Sequence, residues 1–117
     1  MERNFGPVVQ LGYLVPDIHA AMRHWTEVIG VGPFHLIEHT PFTELWYRGA
    51  PVHVDQSAAL AQWGDVQVEL VQQHNDVTCV NTTFAGRARG GLQHVAVWCD
   101  SIAAEFERLK PRGIEPV

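Results

Sequence analysis

Residues 91–106 read "GLQHVAVWCDSIAAEF". An apolar run rich in β-branched residues carries one histidine, His94, and passes directly into a run with helical spacing. The same order occurs near the start of the chain, in "VVQLGYLVPDIHAAM", residues 8–22. With the chain slid on itself so that Gln10 falls on His94, Leu11 falls on Val95, Gly12 on Ala96, Tyr13 on Val97 and Leu14 on Trp98. The register continues without a gap: Asp17 falls on Ser101, Ile18 on Ile102, Ala20 on Ala104, Met22 on Phe106 and Trp25 on Leu109. Any two strand–helix pairs share some apolar matches. Here the cap position matches as well, since Asp and Ser are both good N-caps, and so does the hydrophobic stripe. Two copies of one strand–helix–strands unit can pair about a pseudo-twofold axis, and equivalent positions such as Gln10 and His94 then face each other across it.

Working outward, residues 7–15 read as a strand that Pro16-Asp17 interrupts. Asp17 caps a helix over 18–29 with the stripe Ile18, Ala21, Met22, Trp25, Val28 and Ile29, and Gly30 stops it. Residues 33–39 read as a strand. The region 41–56 is broken by Pro41, Gly49 and Pro51, with a short strand at 44–48. "SAALAQW", 57–63, fits strand or helix, and Gly64-Asp65 is a tight turn. "VQVELVQ", 66–72, alternates as a strand. Residues 73–91 read as loop, ending in "GRARGG". A strand over 92–99 and a helix over 101–110 follow, the helix with the stripe Ile102, Phe106 and Leu109 and ended by Pro111 and Gly113. The closing "GIEPV" reads as the start of another strand, from which we expect the natural chain to be longer. The fold class is therefore α+β: one domain over 1–117, a first module over 7–72, and the start of a second over 91–117.

The totals narrow the function. A chain of 117 residues, 46% hydrophobic and 18% charged, is globular rather than disordered. A net charge of −5 disfavours a nucleic-acid surface. No window reads as a membrane span, and the opening "MERNFGPVVQ" lacks a signal-peptide core. Cys79 and Cys99 form no disulfide framework and read as reduced thiols of a cytoplasmic protein. In 66–71, Val66, Val68 and Leu70 share one face and would pack on the helices. Gln67 and Glu69 share the other face, which is either solvated or the wall of a cleft.

Three stretches together, "VVQLGYLVPDIHAAMRHWTEVIGVGPF", "AALAQWGDVQVELVQ" and "GLQHVAVWCDSIAAEFERLKPRGIEPV", carry a family resemblance. In this order and spacing the chain resembles the vicinal oxygen chelate superfamily, which includes glyoxalase I, methylmalonyl-CoA epimerase, extradiol dioxygenases and bleomycin-resistance proteins. It looks most like the glyoxalase-like branch. The resemblance implies paired βαβββ modules curled around a cleft that holds a divalent metal, with the second module incomplete in this chain. It implies that Gln10 matches the first ligand position, Glu69 the second and His94 the third. The fourth, usually a Glu on the last strand of module two, would fall after Val117. An amide oxygen, a carboxylate and an imidazole make a mixed site suited to Zn, Ni, Co, Mn or Fe. In that family such a metal acts as a Lewis acid on a carbonyl and stabilises an enediolate, while a carboxylate, here Glu69, moves the proton.

The resemblance thus implies a metal-dependent lyase or isomerase acting on a small 2-oxo or 2-hydroxy carbonyl compound or thioester. Gln10 argues against an extradiol dioxygenase, which needs two His and one carboxylate for iron. "SAAL" near 57–60 argues against a true methylmalonyl-CoA epimerase, whose additional acid falls near there. A non-catalytic, drug-sequestering protein is the alternative. Trp98 shares strand parity with His94 and is a candidate for the substrate wall, as are Trp46 and Trp63. Arg87 or Arg89 at the cleft mouth would hold a carboxylate or phosphate, and Arg89 is the candidate retained, although a solvated loop is the simpler reading. His19, His24, His35, His39, His53 and His74 show no partner spacing. The expected partners are a small-molecule substrate and a second copy of the chain, since open sheet edges seek pairing.

Overall fold

In the computed structural model, which describes residues 5–83 and 90–117, the chain runs β1 (Val8–Leu14), α1 (Ile18–His24), β2 (His35–Ile37), β3 (Trp46–Tyr47), β4 (Ala50–Pro51), β5 (Gln56–Trp63), β6 (Val66–Gln73), α2 (Val80–Thr83), β7 (Gly91–Val97) and α3 (Ile102–Leu109). Five strands form one sheet in the order β2-β5-β6-β1-β7, and β3 and β4 make a separate two-stranded hairpin. β5, open to either reading from its pattern, is a strand. It pairs with β6 from Gln56↔Gln73 to Trp63↔Val66, around the two-residue turn expected at Gly64-Asp65.

The alternation in β6 is what divides the molecule into two sides. Val68 and Leu70 are wholly buried and join Ile18, Val31, Ala59 and Ala61 in the core, with Tyr13, Met22 and Trp25 packed around them. Burying a side chain of this size stabilises the fold by about 1.5–3 kcal/mol relative to leaving it exposed. The helix that covers them begins where Asp17 accepts a hydrogen bond from the Ala20 amide at 3.1 Å. Its α-helical part is shorter than the stripe predicts. Residues Trp25–Ile29 form a wider π turn, closed by Gly30 in the left-handed region at φ 85°. A π turn rotates less per residue, so the stripe goes out of phase. Val28 is 71% exposed as a result.

Other expectations need correction. The region 73–91 contains the single-turn helix α2, and the strand expected over 33–39 is confined to His35–Ile37. The closing residues 114–117 form no strand; the Val117 carbonyl accepts from the Arg48 amide at 2.6 Å. "GRARGG", with Arg87 and Arg89, lies outside the described residues except for its last two glycines.

The repeat appears in the pairing of β1 with β7, which is antiparallel and symmetric about one residue pair. Leu11 stands opposite Val95, its own repeat equivalent. On either side, Gln10 faces Ala96 and Gly12 faces His94. The register shifts twice, skipping Val9 on β1 and Gln93 on β7, and these two residues are also repeat equivalents. A β-bulge re-aims the side chains beside it. In each module, that change of direction falls immediately before the candidate ligand.

Candidate functional site

The polar face of β6 and the bulged ends of β1 and β7 meet under the β3–β4 hairpin. There β6 and β7 wall a cavity of about 290 Å³, lined by Glu69, Val71, Gln93, His94, Trp46 and Val54 among others, and Gln10 of β1 stands behind His94 without lining it. Gln93 and His94 are neighbours in a strand yet both line it, as the bulge allows. Gly12 leaves room for the imidazole: a Cβ there would lie 2.0 Å from His94 Cε1. A glycine inside a strand commonly marks such a close approach.

The hydrogen bonds orient each donor. Gln10 sits opposite Gln67 across β1 and β6, and its Nε2 donates to Gln67 Oε1 at 2.7 Å. Its Oε1 therefore faces His94 Nε2, 2.9 Å away and 84 residues along the chain. Glu69 Oε1 lies 3.3 Å from the same nitrogen. On the other side of the ring, Gln93 donates its Nε2 to Asn81 Oδ1 and turns Oε1 toward His94 Nδ1 at 2.9 Å. Asn81, itself buried, donates onward to Gln56 Oε1. In the tautomer with the proton on Nδ1, that nitrogen donates to Gln93 Oε1. The Nε2 lone pair then points at two oxygens that also carry lone pairs. A metal ion shared by the three atoms, or a proton on Nε2, would satisfy all of them.

The donor set fits a divalent ion. Cis ligands at bonds of about 2.1 Å stand about 3 Å apart, close to the 2.9 and 3.3 Å measured here. The structure thus brings Gln10, Glu69 and His94 together. It does not bring Trp98 to them. β7 ends at Val97, so strand parity does not extend to Trp98, which is 82% exposed and lines a separate depression with Phe5 and Glu105. Trp63 meets Trp25 edge to face at 5.8 Å between ring centroids, on the helix-covered side. Trp46 alone of the three candidate tryptophans lines the cavity. Arg89 lies outside the described residues.

A second cluster escaped the sequence reading. His39 Nδ1 lies 2.6 Å from Asp55 Oδ1, and the rings of His39 and His74 lie 4.7 Å apart. The hydrogen bond to Asp55 holds the His39 imidazole above its ordinary pKa. The same bond, helped by the nearby His74 and His53, holds the Asp55 carboxyl below its own.

Two related strand–helix units, joined edge to edge with oxygen and nitrogen donors at the join, define a class of fold as well as a site. The family model of the glyoxalase/bleomycin resistance protein/dioxygenase superfamily matches residues 9–117, and the chain belongs to that superfamily. Among solved structures, methylmalonyl-CoA epimerase from Mycobacterium tuberculosis is similar with a TM-score of 0.62 at 18% identity, over 97% of this chain and 69% of the other. The hypothetical protein BH1468 from Bacillus halodurans C-125 gives 0.64 at 16%, over 92% and 68%. A selenomethionine form of methylmalonyl-CoA epimerase gives 0.58 at 21%, over 97% and 74%. At these identities the likeness is one of fold. No match was found among curated proteins. Among the described residues, no helix is long and apolar enough to cross a membrane.

Proposed function

We propose that the protein is a glyoxalase-like, divalent-metal-dependent lyase or isomerase acting on a small 2-oxo or 2-hydroxy carbonyl compound or thioester. The observation that carries this reading is the convergence of Gln10 Oε1 and Glu69 Oε1 on His94 Nε2, at 2.9 and 3.3 Å. Gln10, Glu69 and His94 would hold a Zn, Ni, Co, Mn or Fe ion, which supplies Lewis-acid polarisation of a substrate carbonyl. Gln67 and Gln93 fix the amide and the ring, so that ligand geometry needs no rearrangement on binding. Glu69 is the one carboxylate side chain among the described residues lining the cavity, and it is the group assigned to move a proton at the carbon next to the carbonyl. Phe42 and Leu45, ahead of the hairpin, and Trp46 on β3 line the same cavity and would offer an apolar wall to that face of a substrate.

An epimerase-like reaction has the fold likeness in its favour. It also needs a base on the facing side, and the residue opposite Glu69 on β5 is Leu60. Sequestration of an apolar ligand without chemistry is the second reading, favoured by the largely apolar cavity wall. The reading extends to a cytoplasmic protein acting as a homodimer. β7 is an edge strand, with Leu92 and Val95 each about half exposed, and such an edge is a template for pairing. Sedimentation showing only monomer at high concentration would contradict the dimer.

The test is metal content after incubation with Zn, Ni, Co and Mn, read beside exchange of solvent deuterium into the carbon next to the carbonyl of small 2-hydroxy carbonyl compounds. The wild-type chain should bind metal and catalyse exchange, and Glu69→Ala and His94→Ala should each lose one equivalent of metal together with the exchange. A wild-type chain that stays metal-free overturns the reading. Ligand binding untouched by chelators and by His94→Ala would favour sequestration.

A further inference from the structure

The geometry points to a second divalent-cation site, formed by His39, Asp55 and His74, that clamps the base of the hairpin segment over the cavity. One ligand atom from each lies within 4.8 Å of the other two. Segment 40–54 carries β3, β4 and the side chains Phe42, Leu45, Trp46 and Val54 that roof the Glu69–His94 cavity. His39 immediately precedes this segment, and Asp55 immediately follows it. His74 stands one residue past the end of β6, the strand that carries Glu69. An ion on these three would tie both ends of the roof to the strand below.

The surroundings hold the three groups in place. His39 adopts a left-handed backbone at φ 47°, a conformation uncommon outside glycine that persists where neighbours enforce it. Its amide donates to Ser57 Oγ at 3.1 Å, and that buried hydroxyl also meets His74 Nε2 at 2.8 Å. One serine therefore positions both histidines. The Asp55 amide donates to Asn75 Oδ1 at 3.1 Å, and Asn75 Nδ2 donates to the His53 carbonyl at 2.9 Å. The His74 amide donates to the Asp55 carbonyl at 2.7 Å, and Thr40 to Gln56 at 2.8 Å. Backbone and side-chain bonds thus converge on the point where the ligand atoms meet. Two imidazoles and a carboxylate are the donor set of zinc and of the neighbouring transition metals. Both histidines are exposed, so water can complete the shell of an ion drawn between the three ligand atoms. This site shares no residue with Gln10, Glu69 and His94 and stands independently of the reaction proposed above.

Zinc titration of the full chain by calorimetry tests it, with protease cleavage within 40–54 read in parallel. The wild-type chain should bind one more equivalent than His39→Ala/His74→Ala. Asp55→Asn, which keeps the side-chain size, should weaken that equivalent at least tenfold and carries the test if circular dichroism shows the double variant unfolded. Zinc should slow cleavage of the segment in wild type and in Glu69→Ala/His94→Ala, but not in His39→Ala/His74→Ala. Equal zinc binding by wild type and the folded double variant, with unchanged binding by Asp55→Asn, overturns the proposal and shows a hydrogen-bonded pair only. Zinc loss confined to Glu69→Ala/His94→Ala also overturns it and leaves the cavity reading standing. Loss confined to the His39, Asp55 and His74 variants sustains it and overturns the cavity reading.

Discussion

The chain contains the same strand–helix unit twice, and its two copies have different surroundings. Asp17 and Ser101 cap their helices in the same way, each accepting from the amide three residues on. Yet Ile18 is 2% exposed, while its equivalent Ile102 is 66% exposed. The first helix lies on β5 and β6. Of the second helix's stripe only Leu109 is buried among the described residues, and Phe106 is 43% exposed. The local pattern forms the element in both cases, and only the tertiary environment decides what the stripe does. Helix stability in proteins comes mostly from packing of the apolar face.

The largest expected contrast is therefore between those two isoleucines. Ile18→Ala should destabilise the fold by about 2–5 kcal/mol in urea unfolding. Ile102→Ala should stay within about 0.5 kcal/mol. Equal costs would break the comparison and show that the second unit is covered in solution. Next comes the close approach at the join. Gly12→Ala should push the His94 ring aside and weaken metal binding by tenfold or more. The opposite change at the equivalent position, Ala96→Gly beside Gln10, removes a methyl and crowds nothing, and should leave binding within twofold. Metal titration reads both.

Loss of the caps should separate the units in another way. Asp17→Ala should cost about 1 kcal/mol of global stability. Ser101→Ala should instead lower amide protection along α3 while the global value barely moves, because a peripheral helix opens locally. Hydrogen exchange distinguishes these outcomes. The smallest effect concerns the exposed pair Glu105–Arg108 on α3. Its hydrogen bonds hold the Glu105 carboxyl below its ordinary value of 4.5. A depressed carboxyl contributes stability above its unfolded value and loses it as pH falls through the folded one. Arg108→Gln should return the Glu105 titration, followed by NMR, toward the ordinary value with little change in stability at neutral pH. An unmoved titration would show that the pair does not form in solution.

Much of this was legible in the residues. The repeat, both caps, the parity of β6 and the meeting of Gln10 with His94 follow from patterns that are local or shifted by one constant offset. What escaped depends on where local patterns end. Parity placed Trp98 beside His94, but β7 stops one residue short of it. Plain strand alternation would turn Gln93 away from His94, and a bulge turns it inward. The stripe predicted Val28 on the core side, and a π turn rotated it out. His39, Asp55 and His74 have no shared spacing at all, because the strand order β2-β5-β6 brings together the ends of three separate segments.

The proposed chemistry requires that Gln10, Glu69 and His94 act as one metal site. Nickel titration in a His39→Ala/His74→Ala background isolates it from the second cluster. One bound equivalent is expected, weakened at least tenfold by each of Gln10→Ala, Glu69→Ala and His94→Ala. Binding that is absent, or that survives all three substitutions unchanged, would contradict it.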